Sequence, residues 1–310
     1  MSATARVGEW HGAAAVRLAA GDYEATVLPS LGMLVASVRW RGAELVALPG
    51  GLRAYRAGHT TGVPLLHPWA NRLACRRYRA AGIDVDLRGV ALHADGNGLP
   101  IHGTMIARTD WRVERLGAGA RSARLVAVFP FGEYPNLLAS FPFPHELTVA
   151  VTATHGAVRV RTSVRPTGPT PVPVSFGWHP YLTLPGAARR SWLFGLPALA
   201  RVRLDDRGIP TGRPRPQPAE VAPLAARDLD DLFALGPDRG FTLAAGGRTL
   251  CVAFDAGYPY AQVYSPSGAR FCCIEPMTAP TNALVTGDHP TARPGESFAA
   301  TFTLSAHPTP

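Results

Sequence analysis

The residues in this chain best suited to moving protons are one imidazole and one carboxylate, each set directly before a proline. His179 stands in Ser175-Phe176-Gly177-Trp178-His179-Pro180-Tyr181-Leu182, and Glu275 in Ile274-Glu275-Pro276-Met277-Thr278. A residue that precedes proline is driven out of the helical region into extended backbone, so both side chains can be aimed. The aromatic neighbours of His179 suit a flat, weakly polar ligand such as a sugar ring. Each residue alone has a plainer reading: a half-buried histidine bonded to a carbonyl, or a turn carboxylate paired with an arginine. Together they offer one acid and one base. A glutamate at an apolar strand end has its pKa raised by desolvation toward the range where a base works well. A neighbouring carboxylate, in turn, favours a protonated imidazole.

Both stretches resemble the aldose 1-epimerase (galactose mutarotase) family. Gly62-Val63-Pro64-Leu65-Leu66-His67-Pro68-Trp69-Ala70-Asn71-Arg72 is similar to the family's G-x-P-L-x-x-P-W-x-N-R segment, and Ile101-His102-Gly103 to its H-G dipeptide. Glu275-Pro276-Met277-Thr278, followed by Asn282-Ala283-Leu284, is similar to its E-P-M-T…N-A-L segment. These matches fall in the family's order, and with the flanking strands the resemblance spans residues 28 to 304. It implies mutarotation without metal or redox cofactor. Glu275 would take the proton of the anomeric hydroxyl while protonated His179 gives one to the ring oxygen. It also implies sugar contacts from Asn71, Arg72 and His102, a forked arginine being suited to two vicinal oxygens. Asp230-Asp231-Leu232-Phe233 resembles the family's D-x-x-F segment. The spacing to Phe233 favours Asp230 as the hydroxyl-binding acid, with Asp231 as its rival. Trp69 and Trp178 offer a stacking face, although tryptophans are also common in sandwich cores. One departure stands out: Ala74-Cys75-Arg76-Arg77 follows where the family often carries small residues, and bulk there would reshape the pocket.

Such a site needs a rigid frame, and the surrounding sequence reads as strand after strand. With 32 glycines and 30 prolines among 310 residues, the composition suits many short strands joined by turns. Two-residue alternation or β-branched runs mark strands from Ala14 to Leu18, Tyr23 to Leu28, Leu34 to Arg39, Ala123 to Phe129, Glu146 to Ala153 and Ala157 to Val164. More follow at Phe241 to Ala244, Leu250 to Phe254, Ala261 to Tyr264, Phe271 to Ile274 and Phe298 to Leu304. Ala187 to Pro223 is rich in arginine and proline, and Leu224 to Leu235 is expected to be a short helix or ordered loop. The expected fold is all-β: a large antiparallel β-sandwich, with residues 1–310 forming a single domain. The resemblance implies the galactose mutarotase-like version, with the site on one concave sheet.

Composition narrows the function further. All 31 basic residues are arginine, and they are scattered rather than gathered into a nucleic-acid arm despite the net charge of +9. No apolar run reaches membrane-spanning length, and Met1 to Arg6 lacks a signal-peptide pattern. Cys75, Cys251, Cys272 and Cys273 lack C-x-x-C spacing, which suits free thiols in a reducing compartment. His59 and His67 with His102 or His179 have no diagnostic metal spacing. The expected protein is cytoplasmic, a monomer or homodimer, and acts on a small-molecule sugar without nucleic-acid or membrane partners. Two other classes stay open. One is an epimerase of a phosphorylated or modified sugar, although the phosphosugar branch tends to carry F-P-x-F-G where this chain has His67 to Arg72. The other is a carbohydrate-binding module that kept the fold without the chemistry.

Overall fold

Along Val158–Pro166, Val158, Val160, Thr162, Val164 and Pro166 are buried while Arg159, Arg161 and Arg165 face out. That two-residue period buries one side of a strand, and it recurs through most of the chain. The computed structural model describes residues 2–309; Met1, the first residue of the N-terminal segment considered above, and Pro310 lie outside it. Val158–Pro166 belongs to a nine-stranded sheet, between Phe298–Pro308 on one side and His145–Thr154 on the other. All of the strand pairings are antiparallel. A second, eight-stranded sheet has at its centre the neighbours Leu229–Leu235, Tyr260–Ser265, Cys272–Met277 and Gly177–Trp178.

The two sheets face each other across aromatic contacts. Trp178 meets Phe302 with ring centroids 6.0 Å apart, and Phe176 meets Phe298 at 6.2 Å. One continuous apolar cluster runs from Ala3 to Ala306. An N-terminal meander of five strands, from Thr4–Trp10 to Ala43–Glu44, packs against it. The Tyr23 hydroxyl ties that meander to the last strand, donating to the Ala306 carbonyl and accepting from the Ala306 amide, both at 2.8 Å. The helices of the described residues are short, such as Gly51–Arg56 and Ala283–Thr286. None is long and apolar enough to cross a membrane.

Two sequence expectations are corrected here. Leu229–Leu235 is neither helix nor loop but a strand, paired with Leu199–Val202 on one side and Tyr260–Ser265 on the other. Its residues Leu232 and Phe233 are both buried because the strand has apolar neighbours on both faces, and this pairing overrides the local helical preference. The Arg- and Pro-rich stretch before it also supplies strands: Leu193–Leu196, Leu199–Val202, Arg215–Gln217 and Glu220–Pro223. Arg215–Gln217 forms one edge of the eight-stranded sheet, where Pro216 can be accommodated. Thr4–Trp10 adds a strand ahead of the first one expected.

Candidate active site

Residues directly opposite one another on paired strands share a face of the sheet. Glu275 lies opposite Gln262, and Tyr264 opposite both Asp230 and Cys273. Tyr181, on its own short strand, also lies opposite Cys273. Glu275, Gln262, Tyr264, Asp230 and Tyr181 therefore rise from one side of the eight-stranded sheet, while Ile274, Val263 and Phe233 point into the core. Loops complete the wall with Thr60, Asn71, Arg72, Ile101 and His102, and His179 stands beside Glu275. Together they enclose a cleft of about 200 Å³.

The loops are fixed mainly by backbone hydrogen bonds between the sequence motifs. The His179 amide donates to the Pro64 carbonyl, the Ala70 amide to Ser175, and the His102 amide to Asn71. The Asn282 amide donates to the Arg72 carbonyl, and Asn282 Oδ1 accepts from the Ala74 amide at 2.8 Å. The Thr278 hydroxyl donates to the Phe176 carbonyl at 2.9 Å. Asn71 and His102 occupy the left-handed region, with φ of 57° and 63°. Side chains rarely tolerate that conformation unless the surroundings impose it. Gly103 follows, also left-handed, where an added Cβ would lie 2.2 Å from the His67 carbonyl oxygen. That close approach gives the His-Gly dipeptide a mechanical reason.

At the bottom of the cleft, His179 Nε2 and Glu275 Oε1 are 3.2 Å apart, and both side chains are almost wholly buried. Glu275 Oε2 and His179 Nδ1 have no protein partner, nor do His102 Nδ1 and Gln262 Oε1. Burial lifts the Glu275 carboxyl well above the usual carboxylate range; nearby Asp230 adds to this and Arg72 opposes it. Burial also pushes the His179 imidazole down to about 3. Desolvation of both groups works against the attraction by which the carboxylate would hold His179 protonated. Both shifts favour the uncharged forms of the two side chains. Tyr181 stacks on the His179 ring at 4.6 Å and 9°, with its hydroxyl 2.7 Å from Thr60 Oγ1, so the imidazole plane is clamped.

Arg72 donates from Nε to Asp95 Oδ2 at 2.7 Å and from Nη1 to Asn71 Oδ1 at 2.9 Å. Its Nη2 lies 3.7 Å from Asp230 Oδ2, and Gln262 Nε2 donates to the other Asp230 oxygen at 2.5 Å. Burial raises the Asp95 carboxyl, but the Leu99 amide, Arg72 and the Asn97 amide outweigh it and hold Asp95 below its usual range. His102 meets His179 edge-on at 5.5 Å and is held neutral by burial, with His179 and Arg72 adding to the effect.

The cleft brings together Asn71, Arg72, His102, His179, Asp230 and Glu275. Asp231 points away from it and pairs with Arg201. Trp69 and Trp178 do not line the cleft. Both are fully buried in the core, where Trp178 Nε1 donates to Thr162 Oγ1 at 3.0 Å. Cys75 and Arg77 are exposed, and Arg77 pairs with Asp86, so the Ala74 to Arg77 departure adds no bulk to the pocket. Gln262, Tyr264, Tyr181 and Thr60 were not singled out from sequence. The alternation of Tyr260, Gln262 and Tyr264 was the available signal for two of them.

A model of the family described as aldose 1-epimerase matches residues 14–305. This chain belongs to the aldose 1-epimerase family. Solved structures agree on the fold. A galactose mutarotase-like protein from Clostridium acetobutylicum superposes with a TM-score of 0.88 at 19% identity, covering 99% of each chain. A galactose 1-epimerase from Lactobacillus acidophilus NCFM gives 0.80 at 14%, covering 100% of each. The GalM/aldose epimerase homologue from C. elegans gives 0.73 at 16%, covering 93% of this chain and 96% of that one. No curated protein matches the sequence. Within the aldose 1-epimerase family, then, this chain combines a mutarotase-like sandwich with a buried carboxyl–imidazole contact in a polar cleft.

Proposed function

We propose that the protein interconverts the α and β anomers of a free aldose, with Glu275 and His179 as the proton-exchanging groups. The observation that carries this reading is the 3.2 Å contact between Glu275 Oε1 and His179 Nε2, buried at the floor of the cleft. Mutarotation removes the proton from the anomeric hydroxyl and adds one to the ring oxygen, breaking the bond from C1 to that oxygen. The aldehyde forms, C1 rotates about its bond to C2, and closure onto the other face returns both protons. No net proton is gained or lost, so two groups sharing one proton suffice.

A sugar lying against both groups draws out the charge-separated form, in which Glu275 is the base and His179 the acid. Asn71, Arg72, His102 and Asp230 bind the remaining hydroxyls, and Asp95 holds the guanidinium in place for that task. Residues 1–310 act as one domain, a reading supported by the apolar cluster that runs from Ala3 to Ala306.

The test is the optical rotation of freshly dissolved α-glucose and α-galactose, corrected for the buffer background. Acceleration by wild type and its loss in Glu275→Gln are expected. A lectin-like protein would bind the sugars without accelerating either, and that outcome would refute the reading. Arg72→Ala should raise KM at least as much as it lowers kcat, since it removes binding rather than proton transfer.

A further inference from the structure

Two turns far apart in the chain have the same form. Asp95-Gly96-Asn97-Gly98-Leu99-Pro100 and Asp205-Asp206-Arg207-Gly208-Ile209-Pro210 share the order D-x-x-G, then an aliphatic residue and a proline. In each, the aspartate amide donates to the carbonyl of the aliphatic residue, at 3.0 Å in the first and 2.8 Å in the second. The glycine amide donates back to the aspartate carbonyl, and the aspartate Oδ1 accepts two further amides at 2.9 Å. Gly98 and Gly208 both have a φ of 75°. Turns closed on their own aspartate in this way are stiff.

Both turns hold the same guanidinium, one by its carboxylate and the other by its glycine. Asp95 Oδ2 accepts from Arg72 Nε at 2.7 Å, along an N–H bond and so from the edge of the group. Gly208 approaches the face. A Cβ built there would lie 2.9 Å from Nη1, 3.1 Å from Cζ and 3.3 Å from Nε. An approach in the plane would leave Cζ, which lies behind the nitrogens, the farthest of the three. At Gly98 the same added Cβ meets nothing within 4 Å.

Nη1 is bonded to Asn71 Oδ1, whereas Nη2 makes no hydrogen bond among the described residues and stands 3.7 Å from Asp230 Oδ2. A side chain at position 208 would have a stiff turn on one side and a flexible arginine on the other, and the arginine would yield. We propose that Gly208 is a positioning residue for sugar binding: its bare α-carbon seats the Arg72 guanidinium so that Nη2 is presented to a sugar hydroxyl. The proposal rests on the mutarotase reading of the cleft.

The experiment is a double-mutant cycle with galactose and glucose as substrates, anomer exchange being followed by nuclear magnetic resonance. Gly208→Ala should raise KM at least fivefold and leave kcat within twofold of wild type. Gly212→Ala is the control. Gly212 is also left-handed, with a φ of 71°, but a Cβ there meets nothing within 4 Å, so the variant carries the backbone strain without the contact. Its KM should stay within twofold of wild type. In the Arg72→Ala background no guanidinium is left to displace, and adding Gly208→Ala should change KM by less than twofold. The same factor in both backgrounds would overturn the proposal and leave the mutarotase reading intact, as would equal KM values for Gly208→Ala and Gly212→Ala. If no sugar is turned over, the mutarotase reading falls. The Arg72 Nε–H resonance, assigned by its loss in Arg72→Ala, then decides the seating. A shift in Gly208→Ala but not in Gly212→Ala supports it, and an unmoved signal in Gly208→Ala rejects it.

Discussion

In the core, His67 Nε2 and His145 Nε2 lie 2.8 Å apart; at the cleft, His179 Nε2 lies 3.2 Å from Glu275 Oε1. Both contacts are buried, and burial depresses the imidazoles in both. Their hydrogen-bond accounting differs. His145 Nδ1 is 2.6 Å from the Phe143 carbonyl, which can only accept, so that nitrogen carries the proton. His145 Nε2 must then be bare and accept from His67 Nε2–H. Phe131 stacks on the His145 ring at 4.4 Å, and both rings are enclosed by aromatics. The direction of that chain is fixed, and nothing about it can change without loss. The Glu275–His179 contact instead lines the cleft and leaves Oε2 and Nδ1 without protein partners. Burial makes the first contact a brace and the second a reagent: His145 is committed through both ring nitrogens and only His67 Nδ1 lacks a partner, deep among aromatics, whereas the second pair has its free atoms at the cleft.

The widest separation between the two should appear in turnover. Glu275→Gln and His179→Asn should each lower kcat by roughly 100- to 10,000-fold, the usual worth of positioned proton transfer. The double variant should lose far less than the product of the two, because one exchange needs both groups. Retention by Glu275→Gln of more than half the wild-type rate, after background correction, would falsify its assignment as the base.

The core contact should answer in stability instead. His145→Leu strands the His67 Nε2–H in an apolar setting and should cost about 1–3 kcal/mol in denaturant unfolding. Its kcat should stay within a few-fold of wild type. A collapse of turnover without loss of stability would erase the distinction.

Acid should separate Glu275 from the buried histidines by sign. The folded pKa of His145 is pushed down to about 4 by burial. Its contribution to stability is therefore present above the unfolded value near 6.5 and lost as pH falls toward 4. Between pH 6.5 and 5 that amounts to about 2 kcal/mol for this group, read from the pH dependence of unfolding. Glu275 runs the other way. Its folded pKa is raised by burial, so its contribution is present below the ordinary carboxylate range and is lost as pH rises. Glu275→Gln should accordingly melt a few degrees higher than wild type at pH 7 while being nearly inactive, and the gain should vanish near pH 4.5.

The smallest effect concerns the rate profile of a neutral sugar. With His179 pushed to about 3 and Glu275 pushed up, neither group titrates at its ordinary value. The profile of kcat/KM should be flat from about pH 5 to 7, with limbs that belong to the pair rather than to either residue. A sharp rise near pH 4.5 followed by a fall near 6.5 would show two independent, unperturbed groups.

Much of this was legible in the sequence, for identifiable reasons. Strands such as Ser122–Phe129 and Val158–Pro166 show period-two burial because one face meets the core. Glu275, His179, Asn71, Arg72, His102 and Asp230 stand in short motifs, and the structure brings all six to one cleft. Gln262 was hidden because its meaning lies in register: only the pairing of its strand with the next puts it opposite Glu275. Leu229–Leu235 escaped because its composition permits a helix, and its two neighbouring strands come from distant sequence. The tryptophans misled because an indole beside a catalytic histidine has no sequence mark telling which face of the sheet it takes. Alternation assigns Trp178 to the core side.

The cleft's shape is held by amides and carbonyls. His179, Ala70, His102 and Asn282 donate their backbone N–H groups to Pro64, Ser175, Asn71 and Arg72. Such bonds do not depend on the identity of the side chains that project from them. Ile101 and Tyr264, whose side chains make none of these bonds, can therefore be exchanged while the geometry of the proton-moving pair stays as it is. This architecture separates what a descendant of the protein can afford to change from what it must keep, and substrate choice falls among the former.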